Sequence, residues 1–249
     1  MKLTKAVCVL CSALLLSGAV FAQKAAPQTT VEEEYLSSVE DVIIAELANS
    51  DDRDNKFVAL QYIEEALAGG RMSSDIQVTL EALAGEGVLS QTRENGRLMN
   101  NYTDVRTKAC ELLGQVKTEE SKEILKKIAL ADNEPMVVTA AIRSLGDVGI
   151  NENDEITDII VWTQKKYATL NPASSLAYEI LVAYEKLADT VVNRSPVIQS
   201  VTSIASNYRY AVPVRTKAYD LLKKLTGVSN SKNTQTSGSD NSKTPSSEK

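Results

Sequence analysis

Three carboxylate clusters, an isolated thiol and a few arginines are the side chains with chemistry to offer in this 249-residue chain. The clusters are Glu32-Glu33-Glu34, Asp51-Asp52-Arg53-Asp54 and Glu152-Asn153-Asp154-Glu155. Paired acids can run hydrolysis or hold calcium. Each cluster, however, stands where a helical pattern begins, and acids there stabilise the N-terminal dipole. Asp51 to Lys56 also lacks the glycine turn and closing glutamate of a calcium loop. Structural roles are therefore expected for all three, with no metal and no cofactor. Histidine is absent, which removes the usual general base and the commonest zinc ligand. Cys110 has no second thiol for a zinc site or internal disulfide once the N-terminal Cys8 and Cys11 are set aside, and it reads as a packed thiol. Arg106 and Arg215 read as partners of acids within the fold. No glycine-rich phosphate loop is present. The residues point to a binding protein, not an enzyme.

The ends of the chain carry other signals. Lys2 and Lys5, the apolar run Ala6 to Val20 and the Ala-Val-Phe-Ala site ending at Ala22 form the three parts of a secretory signal peptide. Residues 1–22 are expected to be cleaved, leaving no membrane span, and the chain is expected to be exported, periplasmic or secreted. Without that segment the formal charge moves from −6 to about −8, which gives no footprint for nucleic acid. Residues 23–30 read as a flexible leader. Residues 229–249, nearly devoid of apolar side chains, read as a disordered tail.

Between them, 31–228 is helical in pattern. Hydrophobic residues make up 43% of the chain but aromatics only 5%, with 11 Gly and 6 Pro. Small aliphatic side chains with few breakers suit helix-on-helix packing. The segment Val105-Arg106-Thr107-Lys108-Ala109 recurs identically as Val214-Arg215-Thr216-Lys217-Ala218, each followed by a Leu-Leu pair. Weaker copies run through Met136 to Gly146, Ala173 to Leu181 and Asn55 to Ile63. Aligned, they give a column Ala59, Ala109, Ala141, Ala177, Ala218 and another Ile63, Leu113, Leu145, Leu181, Leu222. Spacings of three and four put both on one helical face, and the small column lets the next helix approach. The pattern predicts five helix pairs: 31–49 with 52–69, 73–85 with 102–116, 118–131 with 134–149, 153–170 with 172–189, and 196–207 with 212–227. Residues 86–101 lack a periodic pattern and read as a projecting loop.

The run Asp132-Asn133-Glu134-Pro135-Met136-Val137 through Gly146-Asp147-Val148-Gly149, and Asp104-Val105-Arg106 through Leu113-Gly114, resembles the HEAT repeat: an acidic turn, a proline, a Val-Arg-x-x-Ala helix and a Leu-Gly end. Val138 and Ser174 stand where that pattern carries arginine, so an acid–arginine ladder would be broken. The resemblance implies an all-α, right-handed α-solenoid with a curved binding surface, though no single partner or chemistry.

In that family the second helices line the concave side. Rotating them away from the core columns brings up Thr107 and Glu111, Thr139 and Arg143, Ser175 and Glu179, Thr216 and Asp220, flanked by Cys110, Ile142, Tyr178 and Tyr219. A semi-apolar stripe with a polar rim suits a protein interface, where tyrosine is enriched. The expected function is an exported scaffold for protein partners. A cell-wall or small-ligand-binding module is the second reading, and a lyase-type enzyme the third.

Overall fold

The computed structural model describes residues 30–227, and among them the aliphatic spacing resolves into ten α-helices. The segments read as signal, leader and tail lie outside the described residues, except for Thr30. The helices are α1 (Val31–Asn49), α2 (Arg53–Ala68), α3 (Ser74–Gly85), α4 (Thr103–Val116), α5 (Glu119–Ala131), α6 (Pro135–Val148), α7 (Glu155–Leu170), α8 (Ser174–Leu187), α9 (Arg194–Ser206) and α10 (Val212–Leu225). Their ends fall within about two residues of those read from the sequence, the ordinary play of helix termini. Among the described residues two short strands, β1 (Arg93–Glu94) and β2 (Arg97–Leu98), interrupt an otherwise helical fold.

The chain divides into two compact units, residues 1–40 and 41–249. In the first, the described residues open α1 with a reciprocal cap. Thr30 Oγ1 accepts from the Glu33 N–H at 3.2 Å, and the Glu33 carboxylate accepts from the Thr30 N–H at 2.9 Å, satisfying two donors the helix cannot.

In the second unit the helix ends follow local chemistry. Asp52, Ser73 and Thr118 cap α2, α3 and α5 with their side-chain oxygens. Pro135 opens α6, where its missing N–H is harmless. Gly149 closes it at φ +75°, a left-handed conformation that glycine adopts without strain. In the 152–155 cluster the Asp154 carboxylate accepts from the N–H groups of Val192 and Asn193 at 2.8 and 2.7 Å, tying down the connection into α9.

The helices pack in two rows. α2, α4, α6, α8 and α10 lie side by side in that order, and α3, α5, α7 and α9 form a second row against them. The alanine column is buried in the first of these rows, as are Ile63, Leu113, Leu145 and Leu181. Five positions beyond the alanine, α4 and α6 carry Gly114 and Gly146. A Cβ on Gly114 would lie 2.7 Å from Ser144 Oγ, and one on Gly146 would lie 2.8 Å from the Cα of Ala183. These glycines let α4 meet α6, and α6 meet α8, nearly backbone to backbone. The same position is Val182 in α8, and α8 and α10 share a shorter contact.

One ion pair lies inside this packing. Arg106 Nε donates to Asp132 Oδ2 at 2.8 Å, with the two side chains 1% and 2% exposed. Arg106 Nη1 also donates to the Glu86 carbonyl at 3.2 Å and to Asn101 Oδ1 at 2.9 Å. One guanidinium thus joins the end of α3, the approach to α4 and the turn before α6.

Segment 86–101 is built, not loose. Asn95 and Gly96, both at positive φ (50° and 82°), turn β1 into β2, the conformation demanded of a two-residue hairpin. Asn100 staples its base, accepting from the Thr92 N–H and donating to the Ser90 carbonyl, both at 2.9 Å.

Candidate protein-interaction face

The row α4, α6, α8, α10 presents the polar columns read from the sequence. Thr107, Glu111, Thr139, Arg143 and Glu179 are half-buried there, and Ser175, Thr216 and Asp220 are exposed. The hydroxyls of Thr107, Thr139 and Thr216 donate to carbonyls one turn earlier, at 2.8, 2.6 and 3.1 Å. They are satisfied without a partner. Arg143 reaches Glu111 on one neighbouring helix at 3.4 Å and Glu179 on the other at 2.9 Å, clipping three helices across their surface. The Glu179 carboxylate bonded to it holds the guanidinium above its ordinary pKa.

The flanking stripe divides in two. Tyr178 and Tyr219 are 43% and 53% exposed, but Cys110 and Ile142 are fully buried. Cys110 and Ile142 therefore do not line a surface. Gly114 draws α4 against α6 and Gly146 draws α6 against α8, and on α4 and α6 the buried arc extends past the alanine column to cover the next residue. Around Tyr178 and Tyr219 the thinner α8–α10 contact leaves that residue in solvent. Burial in the core, with Asp132 nearby, pushes the Cys110 thiol well above the ordinary thiol range.

Three residues of the face escape a reading based on the columns alone. Met136, 66% exposed, and Val212 stand at the starts of α6 and α10. Lys217 lies 5.4 Å from the centre of the Tyr178 ring, a cation–π contact across the α8–α10 joint. The first two carry a sequence signal, since each flanks a helix-opening proline. Around them lie two shallow depressions, one bounded by Met136, Thr139 and Arg143, the other by Tyr178, Val212 and Lys217.

Glu185 ties α8 to α10. It accepts from Lys217 at 2.8 Å and from Lys224, and these bonds hold its carboxyl at about 2, down from 4.5. The folded pKa lies below the unfolded one, so the contribution to stability is complete above about 4.5 and disappears as pH falls toward about 2. The carboxylate is 38% exposed, so salt weakens the effect. Thermal melts between these pH values should show a shallower acid slope for Glu185→Gln than for the parent chain. An unchanged slope would remove Glu185 from the joint.

Arg215 repeats the local sequence of Arg106 but not its surroundings. Among the described residues no carboxylate forms an ion pair with it, and its buried Nε has no hydrogen-bond partner. Among the same residues, no group of three acids or thiols could hold a metal ion, and no helix is long and apolar enough to cross a membrane. A scan with protein-family models and searches of curated proteins and of solved structures find no match to the chain.

Proposed function

We propose that the chain is an exported scaffold of the HEAT type, a right-handed α-solenoid that binds protein partners on the concave face of the second helices of its pairs. The observation that carries the reading is the exposed set Met136, Tyr178, Val212 and Tyr219 interleaved with polar side chains on one row of helices. Single exposed apolar residues are ordinary, but these four on α6, α8 and α10, two of them tyrosines, form the kind of patch a partner desolvates. The repeated Val-Arg-Thr-Lys-Ala segment and the two ordered rows support the repeat reading. The lysines and apolar run before Ala22 support export, and the acidic balance disfavours nucleic acid.

A photo-crosslinking amino acid at Asp220, beside Tyr219, tests both parts in the producing cell. The expected product is one discrete protein adduct on a chain whose intact mass begins at Gln23. Tyr178→Ser with Tyr219→Ser should reduce it about tenfold, the loss of one to two kcal/mol of interface contact, with helical circular dichroism unchanged. An adduct undiminished by the double substitution refutes the face, and a chain retaining residues 1–22 refutes the cleavage.

A further inference from the structure

Segment 86–101 walls a cleft that lies apart from the α4–α6–α8–α10 face. Two adjoining cavities, of about 470 and 340 Å³, meet on Asp51, Glu86, Thr92 and Asn100. Those volumes fall in the range of small-ligand sites, about 300–1,000 Å³. One wall is apolar, made by Ala45, Val78, Ala82 and Leu83, with Met99 at the hairpin side. The wall does not drift: Asn100 staples the hairpin base, and Tyr102 Oη donates to the Asp51 carbonyl at 2.8 Å.

The charge of the lining is one-sided. Asp51, Asp75, Glu86 and Glu94 contribute four carboxylates, and Lys56 is the one cation among the lining residues. Lys56 is already engaged. Its side chain is 5% exposed, and Nζ donates to the Ala48 carbonyl at 2.8 Å and pairs with Glu86 Oε1 at 2.9 Å. The second oxygen of Glu86 is withdrawn from water with no hydrogen-bond partner among the described residues. Buried acceptors normally find donors, so this site has acceptors in excess and no cation to spare for an anion.

We infer that this cleft binds a primary ammonium group carried on a short aliphatic body, either a free alkylamine or the side chain of a lysine. The ammonium supplies donors to the carboxylates, and the methylene chain covers the alanine, valine and methionine wall. No residue of the α4–α6–α8–α10 face lines it, so either site can fail without the other.

Calorimetric titration of the full chain at low salt is the test. The ligands are n-pentylamine and Nα-acetyl-lysine amide, with 1-pentanol and Nα-acetyl-norleucine amide as uncharged counterparts. Saturable one-to-one binding of an amine is expected, at least about tenfold tighter than its uncharged counterpart. Binding of pentylamine alone assigns a free amine, and binding of the lysine derivative assigns a side chain. Glu86→Gln should weaken it about tenfold. Because that change also disturbs Lys56, Ala82→Phe provides a second arm: it fills the cleft from an exposed position and should abolish binding with circular dichroism intact. Equal binding of the uncharged compounds overturns the inference. So does amine binding indifferent to Ala82→Phe, or no saturation by either amine at about 10 mM.

Discussion

Arg106→Met is expected to lower the free energy of unfolding by about 3–5 kcal/mol. The change leaves Asp132 charged, 2% exposed and without its ion pair, and removes the donors that reach Glu86 and Asn101. Arg106→Met with Asp132→Asn should recover much of the loss. The asparagine oxygen can still accept from the Glu134 N–H, as Asp132 Oδ1 does at 2.9 Å, and no buried charge remains. Denaturant melts of the two variants measure this. A single-variant loss under about 1 kcal/mol would mean that the pair behaves as a surface pair.

Gly146→Ala carries the second large effect, and its sign is the informative part. On propensity alone, alanine for glycine within a helix stabilises by about 1 kcal/mol. Here the new methyl would lie 2.8 Å from the Cα and 3.0 Å from the Cβ of Ala183. Backbone cannot swing aside as a side-chain tip can, so α6 and α8 must separate. Overpacking of this kind costs about 1–3 kcal/mol. Net of the propensity gain, the expected outcome is a lower melting temperature, by up to about 8 °C for a chain of this size. A rise in melting temperature would show that the joint yields easily, and the account of why Cys110 and Ile142 are covered would fall with it.

Much of the helical frame was legible because aliphatic residues at spacings of three and four, prolines at helix starts and capping oxygens all speak locally. The face was legible in part. Periodicity tells which direction a side chain points, not how wide an arc its neighbours cover, and Cys110 and Ile142 were misjudged for that reason. The covering depends on Gly114 and Gly146, whose effect is on the next helix, not their own. The hairpin in 86–101 announced itself only through Asn95-Gly96, since two-residue strands are too short to alternate. Arg106 and Arg215 mark the limit of local reading. Their pentapeptides are identical, yet one guanidinium is sealed against Asp132 and the other has no such acid among the described residues.

The glycine positions have a mechanical consequence. In an assembly where each helix pair touches only its neighbours, free energy is a sum over joints, and the assembly is as cooperative as its weakest joint. The α4–α6 and α6–α8 joints are closed nearly to backbone contact, while the α8–α10 joint has no such glycine in α8 and is bridged by Glu185. The α9–α10 pair is therefore coupled to the first row through a more compliant hinge than those two joints, with the α7–α9 packing beside it, and local opening is expected there before it reaches them. Tyr178 and Tyr219 sit astride that hinge. A molecule gripping both would act as a splint, turning the softest joint of the row into a stiff one.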